Sequence, residues 1–182
     1  MRFPQVSGTN LLRRKVTLPD DLQGSFNILF VAFQQRQQAL IDAWVPRMRQ
    51  LEQSFPVVQF YEIPVIQKLN FLSQTFINEG MRAGIPNHTT RQKTITLYLD
   101  KPEFRRILEI PHEQTIWVLV LDGEGNVLWR TEGAYSVEKG DRLEHHLVRG
   151  FIGVEACRDK GIQQDHGVPR YSLYFHCIRW LS

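Results

Sequence analysis

The stretch ILFVAFQQRQQALIDAW, residues 28–44, decides how the rest of the chain is read. Its first six residues, Ile28–Phe33, are apolar without a break. Continuous apolarity over so short a run predicts a strand, near 26–33, buried on both faces as in a parallel or mixed sheet. From Gln35 the pattern changes. Leu40, Trp44, Met48, Leu51 and Phe55 are spaced 4, 4, 3 and 4 residues apart, which is one stripe of a helix running to about Ser54. Pro46 lies inside that run and is expected to kink it or remove one backbone bond.

Working outward, "FPVVQFYEIPVI" predicts a second strand near 57–63. A second helix is expected over about 69–83, with Leu69, Leu72, Phe76, Ile77 and Met81 on its inner side. Gly84 followed by Ile85-Pro86 is its stop signal. "TITLYLD", 94–100, alternates, placing Ile95, Leu97 and Leu99 on one face. "KPEFRRILEI" opens a short helix with proline. "TIWVLVLD", the turn "GEGN" and "VLWRTEG" form the clearest hairpin in the chain, and a last helical piece lies near 136–148. Residues 1–27 hold short extended pieces, among them "RKVTLP", divided by turn residues. The order strand–helix–strand–helix, then hairpin and closing helix, is that of the thioredoxin fold. The expected class is α/β, a central mixed β-sheet with helices on both faces.

The 182 residues fit one domain, 1–149, with a C-terminal extension, 150–182. The formal charge is +3 with basic residues scattered, so nucleic acid is not an expected partner. A weakly basic surface allows peripheral contact with an acidic membrane face. The longest apolar runs, Ile28–Phe33 and Ile116–Leu121, are six residues each, far below the roughly 20 that cross a bilayer. No secretory core is present, and Pro4 and Pro19 spoil an amphipathic transit helix in the basic opening segment. A cytoplasmic or organelle-matrix protein is expected, with Cys157 and Cys177 reduced.

"VSGTNLLRRKVTLPDDLQGSFNILFVAF" resembles the opening of thiol-specific antioxidant and thioredoxin-like proteins. Laid on the strand and Cys-x-x-Cys run of that group, Phe30–Gln38 puts Gln35 and Gln38 at the two cysteine positions. The stretches "DAWVPRMRQLEQSF", "TLYLDKPEFRRILEI" and "IWVLVLDGEGNVLWRTEG" resemble the mitochondrial ATP-synthase assembly factors, a thioredoxin-like group. That resemblance covers roughly residues 25–147 and implies a protein partner.

Thiol exchange and peroxide reduction need a thiolate held near neutral pKa. Glutamine has no ionisable group and forms no covalent intermediate, so this corner excludes both. A peroxiredoxin- or thioredoxin-like oxidoreductase would have to use a displaced cysteine, Cys157 or Cys177; Arg158 and Lys160 flank the first. The proline that usually faces the cysteine pair is not found either, since Pro111 comes five residues before Ile116. The histidines and cysteines fit no zinc spacing, no phosphate loop is present, and no cofactor or catalytic residue is assigned. Trp44, on the apolar stripe, reads as core. Trp129 reads as packed or as a partner anchor, with Arg130 on the opposite face of its strand.

The expectation is therefore a redox-inactive thioredoxin-fold protein that binds another protein, an assembly or chaperone-like factor for a membrane complex such as ATP synthase. The candidate binding residues are Gln34, Gln35, Arg36 and Gln38, with Arg130 as a further candidate on the hairpin. In the tail, "RYSLYFHCIRWL", 170–181, reads as an added edge strand or as a partner or homodimer contact.

Overall fold

From Ile28 onward the central strand is apolar and covered on both sides, and the one polar residue before it, buried Asn27, is bonded to Gly24. In the computed structural model, which describes residues 1–68 and 71–158, all seven residues of β3 (Phe26–Ala32) are buried. Before it come β1 (Val6–Asn10) and β2 (Lys15–Leu18). After it come a 3₁₀ turn (Gln35–Gln37), α1 (Gln38–Asp42), α2 (Val45–Ser54), β4 (Val58–Gln67), α3 (Phe71–Gly84) and α4 (His88–Lys93). β5 (Ile95–Leu99), α5 (Lys101–Ile107), β6 (Trp117–Asp122), β7 (Val127–Glu132) and α6 (Val137–Arg158) complete the order. The strands form one mixed sheet, β2-β1-β5-β4-β3-β6-β7. β3 runs parallel to β4 and antiparallel to β6, and β4 runs parallel to β5.

Alternation divides the burial between two layers. On one face Leu29, Val31, Ile63, Val65, Leu97 and Leu119 pack with Phe104 and Leu108 of α5 and with Phe3. On the other, Phe30 meets Trp44 at 5.8 Å between ring centroids, above buried Met48 and Leu51 of α2 and Leu143 and Leu147 of α6. The apolar stripe read from the sequence is thus the face that α2 lays on the sheet. Trp44 is fully buried, and its ring nitrogen donates to the Gly133 carbonyl at 3.1 Å.

Four details depart from expectation. The helix after β3 is two helices, not one kinked at Pro46. It breaks at Ala43-Trp44, and Pro46 sits in the first turn of α2, where its missing N–H has no intrahelical partner to lose. β4 runs four residues beyond the expected end, through Pro64 to Gln67. Pro64 is tolerated because the β3 ladder ends at the Ala32–Pro64 pair and the β5 ladder begins at Val65. In α3, Leu72 and Phe76 point outward, 79% and 83% exposed, while Ile77 and Met81 are half-buried, so only part of the expected inner side faces inward; Leu69 lies outside the described residues. α4 was not expected; Asn87 caps it, accepting from the Thr90 amide at 2.9 Å.

The hairpin turn behaves as its sequence predicts. Asp122 Oδ1 accepts from the amides of Glu124 and Asn126, and Gly125 takes φ of +81°. Residues Met1–Gly150 form one compact unit. The expected edge strand at 170–181 and Cys177 lie outside the described residues, as does most of the extension 150–182.

Candidate functional site

Where β3 ends, the chain must turn into a helix while its last amides lose their strand partners. Gln37 solves this. Its Oε1 accepts from the amides of Phe33 at 2.9 Å and Gln34 at 3.3 Å, and its Nε2 donates to the Glu113 carbonyl at 2.8 Å. Gln34 Nε2 donates to the same carbonyl at 3.2 Å. Two carboxamides therefore clamp the loop before β6 against the start of the first helix. Glu113 is held a second time through its carboxylate, by Lys101 and by Arg105 at 3.4 Å.

Gln37 was not singled out in the sequence, although it is 2% exposed. The signal was present: 37, 41, 44, 48 and 51 are one helical stripe, so a polar residue at 37 faces the interior and must be bonded there.

Gln38, at the second of the two cysteine positions, shares its Nε2 between Asp42 Oδ1 at 3.1 Å and Glu62 Oε2 at 3.4 Å. Glu62 comes from the middle of β4, is 6% exposed and was also missed. Burial pushes its carboxyl above the usual carboxylate range; the Gln38 bond pulls it down, and the Asp42 charge pushes it up. An acid in the middle of a predicted core strand, between Tyr61 and Ile63, was the available sign.

Gln35 and Arg36 stand exposed on the 3₁₀ turn; the Gln35 carbonyl accepts from the Gln38 amide, while neither side chain has a hydrogen bond or ion pair to other described residues. They are the free part of the corner. Arg130 is not brought to it. Its guanidinium donates to the carbonyls of Leu108 at 2.8 Å and Glu109 at 3.1 Å, and lies 5.8 Å from the centre of the Trp117 ring. It ties α5 to the β6–β7 hairpin. Among the described residues the one cis peptide precedes Pro19, not Pro111. Cys157 falls in the last turns of α6, where side-chain placement lies outside what is described.

This corner offers carboxamides, one exposed guanidinium and a buried carboxylate. It can donate and accept hydrogen bonds, and it holds no sulfur to carry a thiol or a disulfide.

Known structures share the scaffold. Copper-bound ScoI of Arabidopsis thaliana superposes with a TM-score of 0.56 at 12% identity, over 82% of this chain and 99% of that one. BsSco, a member of the Sco family of cytochrome c oxidase assembly proteins, gives 0.55 at 12% identity, over 81% and 92%. A thiol:disulfide interchange protein DsbE from Chlorobium tepidum gives 0.51 at 16% identity, over 81% and 94%. At such identities the likeness establishes the thioredoxin-like fold. No curated protein sequence matches the chain. The ATP10 protein family model matches residues 1–147, four-fifths of the chain and nearly all of the described fold. The chain belongs to the ATP10 protein family, a family of ATP synthase assembly.

Proposed function

We propose that the protein is a redox-inactive, chaperone-like factor that binds a protein subunit during ATP synthase assembly, in an organelle matrix and from the side of the membrane. One observation supports the reading: the corner that the sequence resemblance lays on a Cys-x-x-Cys run holds Gln35 and Gln38, and Gln38 is bonded to Asp42 and Glu62. Electron exchange has no carrier at that corner, whereas Gln35 and Arg36 are exposed for a partner. Gln34 and Gln38 take part by fixing the turn that presents them; Arg130 takes part by fixing the neighbouring hairpin. Among the described residues no helix is long and apolar enough to cross a membrane.

The test replaces the cellular copy with variants and measures assembled ATP synthase on native gels. Arg36→Glu combined with Gln35→Lys should lower the assembled complex, while Cys157→Ser and Cys177→Ser leave it unchanged. The opposite pattern, together with peroxide or insulin turnover lost in either cysteine variant, would establish the displaced-cysteine oxidoreductase instead.

A further inference from the structure

The half of the sheet built from β2, β1 and β5 carries a second polar feature on elements that the glutamine corner does not use. Thr9 pairs with Lys15 on one side and with Thr96 on the other, so the three side chains share one face. β1 lies so close to β5 that a Cβ on Gly8 would come within 2.6 Å of the Thr96 carbonyl. Over this face lies an open cleft of about 300 Å³, at the small end of ligand-sized cavities. Arg13, Lys15 and Lys68 line it with Thr9, Thr96 and Tyr98, and no carboxylate is among its lining residues.

The polar groups here are unevenly satisfied. Arg13 reaches Glu79 at 3.0 Å on the surface. Lys15 and Lys68 are exposed and make no ion pair among the described residues. Thr96 is fully buried, and its hydroxyl has no hydrogen-bond partner. Burial pushes the Tyr98 hydroxyl up to about 12, so it stays neutral and adds no negative charge to the cleft.

A buried hydroxyl without a partner is costly, and unpaired cations beside it are surplus donors. We propose that this cleft is a binding site for a small phosphate-bearing molecule, its phosphate held by Lys15, Lys68 and Arg13 and accepting a hydrogen bond from the Thr96 hydroxyl. Phosphate suits the set better than a carboxylate because it brings close to two charges and three strong acceptor oxygens.

Titration calorimetry on the full chain at low salt tests this, with glycerol 3-phosphate as the probe and inorganic phosphate as competitor. Binding should saturate and be displaced by inorganic phosphate. Lys15→Ala and Lys68→Ala should each weaken it by about tenfold. Arg14→Ala, an exposed cation outside the cleft, should leave it unchanged. Thr96→Val should weaken binding while raising the melting temperature, whereas Thr96→Ser retains affinity; a purely structural hydroxyl would move stability alone. The proposal is overturned by absence of saturable binding, or by equal losses in Arg14→Ala and the lysine variants. It is also overturned if acetate displaces the probe as well as phosphate does, or if the lysine variants weaken binding only to anionic lipid vesicles.

Discussion

The glutamine corner and the cationic cleft lie on one sheet and are both polar, yet their donors are used in opposite ways. At the corner the amides of Gln34, Gln37 and Gln38 are bonded to the Glu113 carbonyl and to the carboxylates of Glu62 and Asp42. In the cleft the ammonium groups of Lys15 and Lys68 have no ion-pair partner, and the Thr96 hydroxyl has no hydrogen-bond partner, among the described residues. A polar side chain that is fully bonded inside the fold holds the fold. One that is not is available to something else. The bonded carboxamides of Gln34, Gln37 and Gln38 therefore hold the corner together, and Gln35 and Arg36 are left exposed without side-chain partners among the described residues.

The largest effect that would break this comparison is at Gln37. Gln37→Met keeps the length of the side chain but leaves the Phe33 amide without its acceptor and takes one donor from the Glu113 carbonyl. Stranding buried backbone groups should cost about 2–4 kcal/mol, read from urea unfolding. A loss below about 0.5 kcal/mol would mean that the corner is ordinary surface after all.

Glu62 comes next, and pH sharpens it. Its folded carboxyl is raised, chiefly by burial, so below the ordinary carboxylate range both folded and unfolded states hold the proton and no penalty exists. As pH rises from that range through the folded value, the folded state holds a proton that the unfolded state releases, and stability falls. Glu62→Gln removes the penalty. The variant should match the native chain near pH 3 and exceed it by on the order of 1 kcal/mol at pH 8, about 2–4 °C in melting temperature. A difference independent of pH would show that the gain is packing and not charge. In the cleft, Thr96→Val should stabilise by up to about 1 kcal/mol in the ligand-free protein, because it removes an unbonded hydroxyl without changing shape. Destabilisation there would show that the hydroxyl is already satisfied within the fold.

Much of the fold was legible because hydrophobic periodicity reports burial directly. Ile28–Phe33 announced a strand covered on both faces, and the stripe through Trp44 and Met48 announced the helix face that packs on it. Gln37 lies on the same stripe, but hydrophobic periodicity marks apolar positions only, and a buried carboxamide bonded to backbone carries no apolar signal. Pro46 was legible as a disturbance but not as a helix opening, since that distinction depends on where the preceding helix stops. Leu72 and Phe76 read as inward because apolar residues on a helix usually are; which side of α3 meets the sheet is set by tertiary contacts such as Arg82 to the Leu11 carbonyl at 2.7 Å. The cleft was illegible. Lys15, Thr9 and Thr96 become neighbours only through the β1–β2 and β1–β5 registers, which no local spacing reveals.

The smallest expected effect discriminates most finely. Gln35→Ala and Arg36→Ala remove exposed side chains with no bond to the described fold, so unfolding free energy should stay within about 0.5 kcal/mol of the native chain. If either also lowers the assembled ATP synthase on native gels, the loss cannot come from instability and must come from a contact those side chains make outside this chain. If both leave assembly unchanged, the corner is scaffold throughout. The protein partner must then be bound by a surface other than this turn.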